Sequence, residues 1–130
     1  MILEQKAKKF DSEKIRVDLL PVEALEDIAA VLTFGANKYG SNNWRNGLAY
    51  TRLLGALLRH VFAFMRGQDR DPESGLPHLA HAGCCILFLL WMIQYKPSMD
   101  DRFRAVDPES DSRNQVIPID GQAATIYHEK

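Results

Sequence analysis

Residues 82–93 read AGCCILFLLWMI, twelve positions without a charge. Such a run has no face for solvent. As a helix it must be covered on nearly every side by other elements, which makes it the natural centre of whatever fold the chain adopts. It is short of the roughly 20 apolar residues that a membrane-spanning helix needs, so the expectation is a buried central helix and no membrane.

The rest of the chain has material to cover it. With 130 residues, 46% hydrophobic and 25% charged, it has the make-up of one ordinary soluble domain with a real core. The formal net charge is -1, so no global field draws the chain to a nucleic acid polymer or an anionic membrane, and a phosphate ligand would need a local cationic cluster. Cys84 and Cys85 are neighbours and poorly placed to bridge. They read as reduced thiols, hence a cytoplasmic protein. The opening MILEQKAKKF has no long apolar stretch after its lysines, so no secretory signal is expected.

Three helices are expected. Pro21 suits a first helical position, Val22, Leu25, Ile28, Ala29 and Leu32 form one apolar stripe at spacings of three and four, and Gly35 is the expected stop. ANKYGSNNWRNG is rich in Gly and Asn and reads as a loop. A second helix is expected over residues 51–66, with Leu54, Leu57, Leu58, Val61, Phe62 and Met65 as its apolar face and Gly67 closing it. The third should start within DPESG, capped by Asp71 or Ser74, and stop near Tyr95 before Pro97. Phe10 is the main anchor of a polar N-terminal segment. No strand pattern of weight appears, although QVIPID at residues 115–120 suits a short extended piece. The class is therefore all-α. Residues 1–97 form a bundle of three main helices, and residues 98–130 form a polar C-terminal extension or an arm on a neighbouring subunit. Three helices bury modest surface, so completion by oligomerisation is expected.

The ionisable groups gather at the mouth of the apolar run, in DRDPESGLPHLAH. His78 and His81 are three apart and share a helical face. Asp71 and Glu73 lie just upstream, and His60 sits on the second helix beside Arg59. Imidazoles with carboxylates make a workable divalent-cation set. A helix mouth also attracts acids through its dipole alone, and histidines near a core are often only hydrogen-bonded. Zinc through His and Cys is less expected, because no CxxC pair is present. Lys38, Arg45 and Arg59 could meet phosphate, Trp44 could stack a base and Asn43 could read its edge. Equally, these cations could be solvated and Trp44 could simply pack the loop. There is no Walker loop, no GxGxxG and no HD dipeptide.

Three segments in order, FDSEKIRVDLLPVEAL, FGANKYGSNNWRNG and LLRHVFAFMRGQDRDPESGLPHLAHAGCCILFLL, carry a family resemblance. They resemble the dATP/dGTP diphosphohydrolase-type domain of bacteriophages and prophages, a family related to the MazG-like all-α nucleotide pyrophosphohydrolases. The resemblance covers residues 10–91, with DPESGLPHLAHA as its most specific part. It implies a helical, oligomeric enzyme (a dimer or tetramer) in the bacterial host cytoplasm that binds a purine deoxynucleoside triphosphate with Mg²⁺ or Mn²⁺. Such an enzyme cuts between the α and β phosphates and releases monophosphate and pyrophosphate. The EExxE and ExxD patterns of MazG-like relatives are absent. Their nearest counterparts by position are His60, His78 and His81, with Asp71 and Glu73 between. The expected metal set is thus His60, Asp71, Glu73, His78 and His81, with Glu73, His78 and His60 catalytic and Lys38, Asn43, Trp44, Arg45 and Arg59 binding substrate. Two other readings stand beside it: a protein that sequesters a nucleotide or cyclic-nucleotide signal without cleaving it, and an assembly protein whose histidines only stabilise the bundle.

Overall fold

The computed structural model describes residues 5–104. They form three α-helices, α1 (Val22–Tyr39), α2 (Tyr50–Met65) and α3 (His78–Tyr95), with short 3-10 turns at Val17–Leu19, Asn43–Asn46 and Pro97–Met99. Among the described residues there is no strand, only an isolated bridge between Arg70 and Pro77. The all-α class stands. α3 is the shared partner, packed against both α2 and α1.

Two helix boundaries differ from the sequence expectation. α1 does not stop at Gly35 but runs four residues further to Tyr39, and Gly40 is its C-cap. Gly40 holds φ 96, a left-handed geometry that glycine adopts without a Cβ penalty. Gly35, followed by the helix-compatible Ala36, Asn37 and Lys38, is simply carried through. This extension is what brings Lys38, in the last turn, to the site described below. α3 starts at His78 after Pro77, not within DPESG. Pro72 opens only a single turn, which the Gly75 N–H closes on the Asp71 carbonyl at 2.7 Å, and Gly75 then leaves it at φ 72.

The main core lies between α2 and α3. Tyr50, Leu53, Cys85 and Met92 are buried together, with Trp44, Leu48, Phe88 and Met99 packed around them. A smaller cluster of Val31, Ala80 and Cys84 joins α1 to α3. The buried face of α2 is therefore Tyr50, Leu53, Ala56, Leu57 and Ala63, turned about the helix axis from the expected one and sharing only Leu57 with it. Leu58, Phe62 and Met65 stay exposed, as do Leu79, Ile86, Leu87, Leu90 and Ile93 on α3. Two partner helices cannot surround a third, so one side of α3 keeps its apolar side chains uncovered.

The twelve-residue apolar run sits within a longer helix, and length and composition alone do not separate such a helix from a membrane span. The helix that carries it spans 18 residues at mean hydropathy 1.4, enough by length and composition, with a third of that span buried. Phe10, the expected anchor, is 90% exposed.

Residues just past α3 fold back on the bundle. Met99 joins the core, and Asp101 caps α2: its carboxylate accepts the Thr51 N–H at 2.9 Å and the Thr51 hydroxyl at 2.5 Å. A carboxylate there satisfies a donor the helix cannot pair and faces the positive end of the dipole. Asp101→Ala should lower the thermal midpoint in a circular-dichroism melt, whereas an unchanged midpoint would mean that water serves the α2 terminus as well. The expected extended segment at 115–120, and the arm beyond residue 104, lie outside the described residues.

Candidate functional site

Helical periodicity brings the three histidines together. His60 follows Leu53 and Leu57 down the buried side of α2 at spacings of four and three, so its ring is aimed at α3. His78 and His81 occupy the first turn of α3 and meet it. His60 Nδ1 and His78 Nδ1 are 2.8 Å apart. The His60 ring stacks on His81, with centroids 4.5 Å apart and planes 10° from parallel.

The loop between α2 and α3 delivers the carboxylate. Asp71 N–H donates to the Leu76 carbonyl at 2.8 Å and His78 N–H to the Asp69 carbonyl at 2.9 Å, closing the loop on itself. The Asp71 carboxylate accepts the Ser74 N–H at 2.9 Å, an Asx-type turn. Ligand atoms of His60, Asp71 and His78 all lie within 4.8 Å of one another.

Second partners hold the outer nitrogens of His78 and His81. His78 Nε2 lies 3.0 Å from the Gln68 side-chain oxygen. That oxygen only accepts, so Nε2 carries the proton and Nδ1 presents its lone pair to the cluster. Ser74 Oγ accepts the Leu76 N–H at 3.1 Å and shares a 2.7 Å hydrogen bond with His81 Nε2. His81 Nε2 is thereby engaged, 4.0 Å from Asp71, and His81 supports the triad by stacking.

Electrostatics favour the deprotonated forms of His60 and Asp71. Burial, and then His81 and His78, push the His60 imidazole below its ordinary value. Burial likewise lowers His81, partly opposed by Asp71. For Asp71, burial works upward, but the hydrogen bonds from Ser74 and the nearby His81 and His60 outweigh it and hold the carboxyl below the usual range. Burial pushes the Cys84 thiol up to about 12, and the ligand atoms that the fold groups together are two imidazoles and one carboxylate. That set fits a divalent cation, Mn²⁺ better than Mg²⁺, since imidazole is softer than oxygen. Gln68, holding the far side of His78, is the kind of outer partner such ligands have.

Beside the cluster lies an open cleft of about 1210 Å³ between the C-terminal half of α1, the Asn43–Asn46 turn and α2, floored by α3. That exceeds what most small-molecule pockets offer. His60, Asp71, Glu73 and His81 line it, together with Lys38, Asn43, Trp44, Arg45 and Arg59. His78 sits behind, 4% exposed.

Three expected residues have particular settings. Glu73 is not in the metal cluster; it pairs with Lys38 at 3.2 Å, bridging the loop and α1. Trp44 stacks on Phe88 with centroids 4.3 Å apart, and the Arg45 guanidinium lies over its ring at 4.5 Å. Its indole packs the loop onto α3, the structural alternative weighed from the sequence. Arg45 is also tied to the Asn42 side-chain oxygen at 2.9 Å. Arg52, Ser74 and Gln68 were not among the expected site residues. Arg52 had a signal, since it is seven residues before Arg59 and so shares its helix face. Gln68 had none, because only loop closure brings it to His78.

A family profile described as dATP/dGTP diphosphohydrolase, N-terminal, matches residues 4–102. A "dATP/dGTP diphosphohydrolase" of Salmonella phage PMBT28 is 39% identical over 113 residues, which is 85% of this chain and 39% of the relative. The chain thus spans well under half the length of that relative. No solved structure matches.

Proposed function

The chain belongs to the dATP/dGTP diphosphohydrolase N-terminal family, and from that premise we propose that its cleft hydrolyses dGTP or dATP to the monophosphate and pyrophosphate. The observation that carries this reading is the convergence of His60, Asp71 and His78 within 4.8 Å beside a cleft lined by Lys38, Arg45 and Arg59. Water attacks the α phosphorus, the bond from that phosphorus to the α–β bridging oxygen breaks, and pyrophosphate leaves.

His60, Asp71 and His78 would hold Mn²⁺ or Mg²⁺, which supplies charge neutralisation on the triphosphate. Lys38 and Arg59 stabilise charge on the phosphates. Glu73, released as Lys38 turns to phosphate, orients the water and takes its proton. Asn43 meets the base edge. In this reading the histidines take over the work that carboxylates do in MazG-like enzymes, and the reaction runs in the host cytoplasm. The uncovered apolar side chains of α3 support a homo-oligomer, a dimer or tetramer; light scattering at the monomer mass at micromolar concentration would contradict that part.

Phosphorus NMR of dGTP incubated with the protein and Mn²⁺ should show equal amounts of dGMP and pyrophosphate. Intact dGTP would end the catalytic reading in favour of sequestration, and tripolyphosphate would place the cut elsewhere.

The pH response has a definite sign. A histidine whose folded pKa lies below its unfolded value of about 6.5 is neutral in the fold while the unfolded chain still takes up a proton. The stability linked to His60 and His81 is therefore complete above about pH 6.5 and declines as pH falls below it. Cation binding should weaken over the same window as protons compete for His60. Thermal melts with and without Mn²⁺ between pH 8 and pH 5 check both, and a Mn²⁺-induced shift that persists unchanged at pH 5 would contradict the assignment of His60 as a ligand.

A further inference from the structure

Gly55 stands in the middle of α2, where glycine is a poor helix former relative to alanine. A Cβ built there would lie 3.2 Å from Arg59 Nη1 and 3.9 Å from Arg59 Cζ and, apart from its chain neighbours and the helix's own backbone, would meet nothing else within 4 Å. The Arg59 side chain therefore runs back along the helix and lays its guanidinium over the bare Gly55 Cα. Arg52, Gly55 and Arg59 recur at spacings of three and four, so they share one face, and all three line the cleft. Among the described residues neither Arg52 nor Arg59 is joined to a carboxylate in an ion pair. Two like charges on one helix face, without a counter-charge, are an arrangement that an anion relieves.

We propose that Gly55 is a positioning residue: its missing side chain lets Arg59 lie low against α2, so that Arg52 and Arg59 form one anion-binding track for the phosphate chain of the substrate. Arg52 is the phosphate contact that this assigns anew. The inference rests on the reading of the cleft as a triphosphate site and deepens it. A methyl group at position 55 would lift the guanidinium by a few tenths of an ångström, which a flexible side chain tolerates structurally but a two-point phosphate contact does not.

The test uses the whole chain and inorganic tripolyphosphate with Mn²⁺, read by calorimetry, so that base recognition and turnover do not enter. Gly55→Ala should raise the melting temperature through helix propensity, yet weaken tripolyphosphate binding on the order of five-fold. In an Arg59→Ala background the same change should leave binding unaltered, since nothing remains to position. Arg52→Ala should weaken binding as Arg59→Ala does. Unchanged affinity in Gly55→Ala, or an equal loss with and without Arg59, would overturn the positioning role while leaving the triphosphate site intact. Wild-type protein that fails to bind tripolyphosphate at all would overturn both.

Discussion

Asp71→Asn should lower kcat/KM for dGTP at least about a hundredfold and weaken Mn²⁺ binding in parallel, while the metal-free protein keeps its fold. The substitution is isosteric. An asparagine oxygen can still accept the Ser74 N–H, which Asp71 now holds at 2.9 Å, so the turn that delivers the side chain to His60 survives. What disappears is the negative charge, the single hard donor among the three groups that would hold the cation. The loss should appear mainly in kcat if the cation acts in the transition state, because an interaction lost equally from bound substrate would raise KM instead. Circular dichroism of the variant without metal should overlay that of the wild type. Wild-type turnover in Asp71→Asn would remove Asp71 from the mechanism, and with it the reason for the loop's closed geometry.

Met92→Ala should cost about 2–5 kcal/mol of stability, the range for truncating a large core side chain. Met92 is 0% exposed and ties three parts of the fold together. Its carbonyl accepts the Tyr50 hydroxyl at 3.2 Å, and its sulfur lies 3.5 Å from the Leu48 backbone nitrogen. Truncation empties the space between α2 and α3 at the end opposite the histidines, with only two α-helices packed on α3 to collapse into it. Met92→Leu conserves volume and should cost less than about 1.5 kcal/mol. Urea denaturation of the two variants checks the pair; equal losses would mean that the sulfur contact, not volume, is what the core needs there.

These two sites differ in how far they could be read from the sequence. Met92 falls in an apolar run that reads as the central helix of the bundle, and the all-α class follows from that run and from two further apolar stripes. His60, His78 and His81 were legible for the same reason, since three- and four-residue spacings fix a side chain's direction on a helix. The loop was not legible. Pro72 and Pro77 are both good helix openers, and Asp71 and Ser74 are both good caps. The choice between them is made by non-local hydrogen bonds, Asp71 to Leu76 and His78 to Asp69, that no local preference reports. The same holds for Gly35 against Gly40 as the stop of α1. Trp44 shows a further limit: an aromatic beside an arginine in a polar loop looks the same in sequence whether it awaits a base or packs on Phe88, and only the stacking geometry separates the two.

The proposed chemistry rests on one cation that His60, Asp71 and His78 would hold. Titrating Mn²⁺ into the protein at pH 7.5, with the free-ion signal followed by electron paramagnetic resonance, addresses that site without any assumption about substrate or turnover. The account predicts that the free signal is suppressed up to one equivalent per chain, and that suppression is lost in Asp71→Asn and His60→Ala. A free-ion signal that rises from the first addition, or suppression that both variants retain, would contradict it.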